Sequence, residues 1–258
     1  MRQLFNKLGI YRTYPLSVGK KTYKVPIHKG LGYAHFVDAE PWMDTVLKNT
    51  GQDTFRFLDV GVNIGQTLLK WKAEFPNSVY VGFEPNQNCV TYVNDLIVKN
   101  NLEHCTIQPY GISTSKTDAQ LYLLGRDRGD SSASTIQNFR KDQGRTGINI
   151  QLIPLKEIDN TPFDLIKIDV EGSELEVVQS IFEIKGNPVI ICEILPVYSA
   201  DNTERLARQN NYVIYRIIKE EKISLIKLNE FDIHGDINLC DYIFMPESKE
   251  KTIIANFN

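Results

Sequence analysis

The residues best suited to chemistry form two short groups, each directly after an apolar run. They are Asp59, Gly61, Asn63, Gly65 and Glu84. Glycines between a buried strand and a helix let a ligand approach the helix N-terminus, where free N–H groups and the helix dipole favour an anionic or polar group. An acidic residue about 20 positions further on, at the end of the adjacent strand, is placed to accept hydrogen bonds from both ribose hydroxyls. The spacing predicts a nucleoside site in which Glu84 holds the ribose.

The glycine pattern argues against a dinucleotide. A nicotinamide site is typical of G-x-G-x-x-G, whereas this chain has Asn63 in place of the second glycine and lacks the third. The remaining pattern, Asp59-x-Gly61-x-x-x-Gly65, resembles the first motif of class I S-adenosylmethionine methyltransferases. That ligand carries an ammonium and a carboxylate instead of a diphosphate, so an acidic residue in the turn has a charge to meet.

A second acidic group follows the apolar run 163–168. Asp169 and Glu171 come at the end of this predicted strand, directly before a helix. In an open α/β sheet, ligands bind beyond the carboxyl ends of the strands. We therefore expect both acids to face the same crevice as the glycine turn. Glu193, at the end of the next strand, is a third acidic candidate.

Short β-branched or aromatic runs alternate with helix-length periodic segments from about residue 55 to residue 245. This alternation predicts a doubly wound α/β fold, a mostly parallel sheet with helices on both faces. The predicted strands are 55–60, 78–83, 105–109, 163–169, 188–194, 212–217 and 239–245. Asn86 is expected to cap the second helix, and the pattern Ser173-x-x-Glu176 predicts a capping box on the third.

Two segments interrupt this regular pattern. Residues 1–54 combine a hairpin signal at 23–27 with a short helical segment at 42–47. They are too few for a core of their own, so we expect them to pack on the main domain, residues 55–258. Residues 125–149 are polar with little apolar periodicity, which predicts an insert. A loop this long inside a compact domain is usually either functional or mobile.

The composition limits the classes of function. With 42% hydrophobic and 24% charged residues among 258, the chain is an ordinary globular protein. A net charge of −3 without a long basic run gives a nucleic-acid substrate no electrostatic support. There is no secretory apolar region and no apolar stretch of about 18 residues, so we expect no membrane span and a cytoplasmic location. Four widely spaced cysteines without a C-x-x-C pair indicate reduced thiols: Cys89, Cys105, Cys192 and Cys240.

Three motifs in order resemble those of FkbM-type methyltransferases. They are 59–65 (DVGVNIG), 83–86 (FEPN) and 168–174 (IDVEGSE), and the run 241–246 (DYIFMP) resembles the closing strand of that family. The resemblance covers about residues 30–245. It implies a Rossmann-like class I methyltransferase fold with a seven-stranded sheet and S-adenosylmethionine as methyl donor. It also implies O-methylation of a hydroxyl, often on a sugar or a secondary metabolite.

The same resemblance assigns the cofactor-binding residues. The methionine end is expected at Asp59, Gly61, Asn63 and Gly65. Glu84 is expected on the ribose, while Pro85 and Asn86 shape the wall beside the adenosine. Tyr110 and Gly111 follow the third strand at the same edge of the sheet, where they either flank the adenine or form an ordinary junction between strand and loop.

Methyl transfer is an in-line displacement at a sulfonium carbon, so the protein must align the acceptor oxygen and take its proton. We expect Asp169 to orient the methionine ammonium or the acceptor hydroxyl and Glu171 to act as the base, with Glu193 as a further candidate. Alternatively, an acid after a strand only caps the following helix. In another hypothesis, which is not favoured, the three acids hold a Mg²⁺-type ion that lowers the pKa of the acceptor hydroxyl.

Two other functions stay open. A nicotinamide-dependent oxidoreductase is disfavoured by the missing glycines, and a non-catalytic nucleoside-binding or interaction module is disfavoured by Asp169 and Glu171. The expected partner is a small-molecule or glycan hydroxyl acceptor, with no nucleic acid. The sequence does not indicate which acceptor it is, whether a metal is needed, or the oligomeric state.

Overall fold

A computed structural model describes residues 12–28, 31–37, 40–124, 133–136, 145–195, 200–229 and 239–257. Its strands are β1 (Arg12–Val18), β2 (Lys21–Ile27), β3 (Arg56–Val60), β4 (Val79–Phe83), β5 (Cys105–Gln108), β6 (Gly111–Ile112), β7 (Thr117–Leu124), β8 (Arg145–Ile153), β9 (Leu165–Ile168), β10 (Val189–Glu193), β11 (Tyr212–Lys219), β12 (Ile223–Leu228) and β13 (Asp241–Pro246). Its helices are α1 (Ala34–Val37), α2 (Pro41–Thr50), α3 (Gln66–Glu74), α4 (Gln87–Asn100), α5 (Leu155–Ile158), α6 (Glu174–Phe182), α7 (Ala200–Gln209) and α8 (Glu250–Ala255). Within these ranges, no helix combines the length and the apolar character needed to cross a membrane.

The central sheet has eight strands in the order β12-β11-β13-β10-β9-β3-β4-β5. Strands β10, β9, β3, β4 and β5 are parallel, while β13 runs antiparallel to its neighbours β10 and β11. The predicted α/β fold is confirmed, and all seven predicted strands are present with ends within two residues of those expected. The sheet has one strand more than expected because β12 pairs with the outer edge of β11.

Both faces of the sheet are covered by apolar side chains. All four residues of β9 are buried, as expected for a parallel strand with helices on either side. On one face, Trp71 of α3 and Leu96 of α4 join Tyr23 of the β1–β2 hairpin and Met43 of α2 in a single cluster. On the other face, α6 buries residues such as Ile181. The strand ends are therefore held from both sides.

The β1–β2 hairpin packs against α4. The strand expected at 23–27 pairs with β1, which precedes it in the chain. The Tyr92 hydroxyl donates a hydrogen bond to the Pro26 carbonyl at 2.8 Å, and the Lys24 amide donates to Asn100 Oδ1 at 2.7 Å. Because α4 follows the Glu84 segment, these bonds connect the hairpin to a helix that borders the candidate site.

A second, three-stranded sheet has the order β6-β8-β7. Residues 145–149, expected to belong to the polar insert, are the first part of β8, and they pair with β7. Apolar side chains on alternate residues of β8, Ile148, Ile150 and Leu152, pack with Leu121 and Leu123 of β7. Residues 125–132 and 137–144 of the expected insert lie outside the described residues.

The predicted cap of the second helix is confirmed, and the predicted capping box is wrong. Asn86 Oδ1 accepts a hydrogen bond from the Asn88 amide at 3.1 Å. Ser173 occupies the N-cap of α6, but its side chain makes no capping bond. Its hydroxyl instead lies 2.7 Å from the Thr135 hydroxyl, because residues 133–136 return to this point of the fold. A tertiary contact thus replaces the local one.

Candidate active site

A cavity of about 240 Å³ opens beyond the carboxyl ends of β3, β4 and β9. Eight residues that the sequence predicted as functional line it: Gly61, Asn63, Glu84, Pro85, Asn86, Gly111, Asp169 and Glu171. The small sheet supplies an apolar wall with Leu121, Ile150 and Leu152. The parallel strands bring these residues together from four separate segments, as expected for the carboxyl edge of such a sheet.

The turn after β3 is held against both neighbouring strands. The amides of Gly61 and Val62 donate to the Phe83 carbonyl at 3.0 and 3.3 Å. Gly61 has a φ of +89°, and a Cβ placed on it would lie 1.9 Å from the Asp169 carbonyl oxygen. Only glycine fits there, because both its backbone conformation and the approach of the β9 turn exclude a side chain. Asn63 also has a positive φ, of 50°.

Glu84 is a buried carboxylate that the backbone grips at both oxygens. Its Oε2 accepts from the Asn63 amide and its Oε1 from the Asn86 amide, each at 2.8 Å. Burial raises the pKa of Glu84 to about 7, although these two N–H groups act in the opposite direction. A carboxylate offers about four lone-pair sites, so two hydroxyl donors can still be accepted.

Asp59 lies beneath the cavity and not in its wall, since it is fully buried. Its Oδ2 accepts from the Tyr80 hydroxyl at 2.5 Å, and its Oδ1 lies 3.4 Å from Lys167 Nζ. Burial raises the pKa of Asp59, while Lys167 and Tyr80 act to lower it. The first-motif acid therefore contacts the protein interior, and its expected contact with the methionine end is not part of this geometry.

Gly65 and Tyr110 are also absent from the cavity wall. Gly65 has a φ of +83° at the start of α3, and its nearest neighbours are Leu96 and Val93 of α4. Tyr110 packs, half-buried, against the apolar cluster on the α6 face of the sheet. Gly65 therefore contributes a backbone conformation at the start of α3, and Tyr110 contributes to the apolar packing beside the site.

Lys167 is a buried residue at the candidate site that the sequence pattern did not reveal. It lies on β9 between apolar residues, where a run of strand-forming residues concealed its charge. Its Nζ lies 3.4 Å from Asp59 Oδ1, 3.2 Å from Asp169 Oδ2 and 3.1 Å from the Gly61 carbonyl oxygen. The signal that could have revealed it is a lysine inside an otherwise fully buried strand, since lysine is rarely buried unless it is paired.

Asp169 and Glu171 both reach the cavity from the turn after β9. The Asp169 side chain is 38% exposed, so it is accessible to a ligand while paired with Lys167. Glu171 has a φ of +55°, an uncommon left-handed conformation for a glutamate. Such strain is often found at functional sites, and Asn63 in the same cavity wall also has a positive φ.

Residues 133–136 close one side of the cavity, where Ala133 and Thr135 belong to its lining. The Ser134 backbone pairs with Tyr122 of β7, and the fully buried Ser134 hydroxyl donates to the Glu171 carbonyl at 2.7 Å. The small sheet is thereby tied to the turn that carries the two acids.

Glu193 faces a second cavity, of about 490 Å³, at the same edge of the sheet. The lining includes four acidic side chains and one lysine: Glu40, Glu193, Glu220, Asp241 and Lys219. Burial raises the pKa of Glu193 to about 8, and Asp169, Asp241 and Glu171 act in the same direction. The cavities are therefore close enough for their acids to influence each other.

The structure does not bring together the three acids of the metal hypothesis that the sequence disfavoured. Among the residues that the structure describes, no group of three or more His, Cys, Asp or Glu side chains could hold a metal ion. Asp169 and Glu171 line the first cavity and Glu193 the second, so Glu193 does not share a cavity wall with the other two acids.

A family model for the methyltransferase FkbM domain matches residues 59–214, more than half of the chain. The chain belongs to the FkbM methyltransferase family. This confirms the resemblance seen in the three sequence motifs, all of which lie within or directly at the described strand ends. No curated protein matches the chain.

Solved structures that are similar to this chain include a protein in complex with AdoMet and another FkbM methyltransferase. M. jannaschii TYW2 in complex with AdoMet is 12% identical, with a TM-score of 0.50 and coverage of 92% of this chain and 88% of that one. A methyltransferase FkbM from Methylobacillus flagellatus KT is 16% identical, with a TM-score of 0.46. That comparison aligns 74% of this FkbM-family chain with 44% of the Methylobacillus chain, so this chain spans less than half the length of that protein. At such identities the TYW2 likeness concerns the fold alone.

Proposed function

We propose that this FkbM-family protein binds S-adenosylmethionine in the first cavity and methylates a hydroxyl group of a sugar or small metabolite. The observation that carries this proposal is the Glu84 carboxylate, fixed in the cavity wall by the amides of Asn63 and Asn86 beside the glycine turn. A carboxylate can accept a hydrogen bond from each hydroxyl of a vicinal diol, and the ribose of adenosine is such a diol. The AdoMet complex of the similarly folded M. jannaschii TYW2 supports this assignment.

The residues of the first cavity suit such a cofactor in their chemistry. Glu84 would hold the ribose, Pro85 and Gly111 would border the adenine, and Asp169 would meet the methionine ammonium. The apolar wall of the small sheet would exclude water from the adenine, as is usual for a small-molecule site. When bound, S-adenosylmethionine supplies an activated methyl group on its sulfonium.

The protein's part in the reaction is to align the acceptor and take its proton. Glu193 has a pKa of about 8, which places its ionisation near neutral pH, where a general base works well. Glu171 lies on a turn with a positive φ in the wall of the first cavity, and its charge contributes to the raised pKa of Glu193. Asp169, held by Lys167, is better suited to orientation than to proton transfer.

The acidic second cavity favours a neutral or cationic acceptor. Its four carboxylic side chains face one lysine, and that lysine is paired with Asp241. A polyanion such as RNA would meet like charges there, and the net charge of −3 adds to the repulsion. A polyhydroxylated sugar would instead find hydrogen-bond acceptors.

Calorimetric titration of the purified protein with S-adenosylmethionine, S-adenosylhomocysteine and NADH tests the cofactor assignment. We expect both sulfur ligands to bind and NADH not to bind. Binding of NADH instead would favour an oxidoreductase, and binding of none would favour a non-catalytic module.

The acceptor assignment needs a separate screen. Formation of S-adenosylhomocysteine would be followed with panels of sugars, hydroxylated small metabolites and RNA, each with EDTA and with added Mg²⁺. We expect turnover with a hydroxylated small molecule and none with RNA. Methylation of RNA at low salt would contradict the proposed acceptor class while leaving the cofactor site intact.

A further inference from the structure

Lys167 is a buried cation at the junction of the two motif turns. Its side chain is 8% exposed, and its Nζ lies within 3.4 Å of three oxygen atoms. One belongs to Asp59 under the cavity, one to Asp169 in the wall, and one to the carbonyl of Gly61 in the glycine turn. A single side chain thus contacts β3, the turn after β3 and the turn after β9.

The surrounding charges keep this lysine protonated. Burial alone would lower its pKa, but Asp169 and Asp59, with a contribution from Glu40, raise the pKa above its ordinary value. Glu84 and Asp241 also interact with the ammonium. Removing one partner of a buried charged group leaves the others uncompensated. Lys167, Asp59 and Asp169 must therefore be considered together.

We propose that Lys167 is a positioning residue of the cofactor site, which fixes the Asp169 carboxylate and the Gly61 carbonyl relative to each other. This inference rests on the proposed function, because it assumes that the first cavity binds S-adenosylmethionine. Lys167 occupies Oδ2 of Asp169, so the carboxylate is oriented while its other oxygen can serve a ligand ammonium. Lys167 itself does not line the cavity.

A second buried lysine offers a matched control. Lys72 on α3 is 1% exposed, and its ammonium donates to the carbonyls of Ser78 and Pro76 at 2.5 and 3.3 Å. These carbonyls precede β4, at the edge of the sheet opposite the cavity. Lys72→Met therefore removes a buried ammonium without touching either motif turn.

The test measures the Kd of S-adenosylhomocysteine and the Tm for Lys167→Met, Lys72→Met, Asp169→Asn and the combination of Lys167→Met with Asp169→Asn. We expect Lys167→Met to weaken binding about tenfold or more, and Lys72→Met to lower the Tm while changing the Kd by less than about twofold. Lys167 acts partly through Asp169. The fold-loss of affinity caused by Lys167→Met should therefore be about threefold smaller in the Asp169→Asn background than in the wild-type background.

Each result decides between the alternatives. Unchanged affinity in Lys167→Met, an equal loss in Lys72→Met, or fully independent effects of Lys167→Met and Asp169→Asn would overturn the positioning role. If Lys167→Met does not fold, Lys167→Arg takes its place in the double-mutant cycle, because arginine keeps the positive charge. Independent effects of Lys167→Arg and Asp169→Asn on the Kd would then overturn the positioning role. A wild-type protein that binds neither sulfur ligand would overturn the proposed function itself.

Discussion

If Glu84 holds the ribose as proposed, its raised pKa should make cofactor binding depend on pH. Its pKa of about 7 means that part of the population carries a protonated, poorly accepting carboxyl at neutral pH. Ribose hydroxyls donate to the ionised form and should therefore favour it. We expect the affinity for S-adenosylhomocysteine to rise by up to about tenfold per pH unit below pH 7 and to level off above it. Calorimetry between pH 5.5 and about 8.5 would measure this.

Replacement of the same carboxylate tests the contact directly. Glu84→Ala should weaken cofactor binding by about 1 to 3 kcal/mol, because two charge-assisted hydrogen bonds are lost, and should abolish the pH dependence. Glu74→Ala is the control, since Glu74 ends α3 and is exposed. A folded Glu84→Ala protein with wild-type affinity would refute the ribose assignment.

Glu171 and Glu193 are the two candidates for the proposed general base, and their variants should differ in turnover rather than in binding. Glu171→Gln is expected to keep the S-adenosylhomocysteine affinity within about twofold and to lower turnover by about 100-fold if Glu171 takes the proton. Single-turnover rates with the acceptor found by screening would measure this. Full activity in Glu171→Gln would remove it from the mechanism and leave Glu193, whose rate profile should then rise through about pH 8.

At the scale of elements, the β3 turn depends on a glycine for two separate reasons that can be measured apart. Gly61 and Gly19 both have a positive φ, but a Cβ on Gly61 would lie 1.9 Å from a backbone oxygen, while one on Gly19 would meet nothing within 4 Å. Gly19→Ala should cost about 1 kcal/mol of unfolding free energy, and Gly61→Ala several kcal/mol more. Urea unfolding of both variants would compare them; equal losses would mean that the β9 turn yields easily.

Element type was predictable where local pattern and burial agree. The seven strands of the central sheet were found because β-branched and aromatic runs mark strands that are covered on both faces. Strand β12 was missed because its inward and outward residues alternate at an exposed edge. Strand β8 was missed in part because residues 145–149 adjoin a polar segment, although alternation over Ile148 and Ile150 was present.

The site was predictable at the carboxyl ends of strands and not beneath them. Glu84, Asp169 and Glu171 follow strands that the sequence marks clearly, and all three line the cavity. The burial of Asp59 depends on its pairing with Lys167, a contact between residues more than 100 positions apart. No local pattern records such a pair, so its importance emerges only when β3 and β9 are placed side by side.

For the whole molecule, His35 connects the N-terminal segment to the glycine turn. This buried imidazole lies with Nε2 3.0 Å from the Ile64 carbonyl oxygen, and burial lowers its pKa to about 4 despite that bond. Below about pH 6.5, His35 binds a proton in the unfolded chain but stays neutral in the folded chain. The contribution of neutral His35 to the free energy of unfolding is therefore complete above pH 6.5 and is lost as the pH falls toward about 4. The loss should reach about 3 kcal/mol.

The variant His35→Gln isolates this effect, because an amide can still donate to the Ile64 carbonyl but does not titrate. We expect the difference in unfolding free energy between wild type and variant to be constant above pH 6.5 and to shift in favour of the variant between pH 6.5 and about 4. Urea unfolding across that range measures it. A difference that does not vary with pH would show that His35 accepts a proton in the folded state.

The position of β13 has a consequence for the order in which the molecule can be built. This strand lies between β10 and β11, although both are made before it. Until β13 has been synthesised, the backbone edges of β10 and β11 that will bind it stay unpaired, and such edges are prone to pair with other chains. Asp241 at the start of β13 is also part of the acidic cavity, so that cavity cannot exist before the strand inserts. The nascent chain can therefore form the segments of the first cavity before β13 is made, but it can form the second cavity only afterwards.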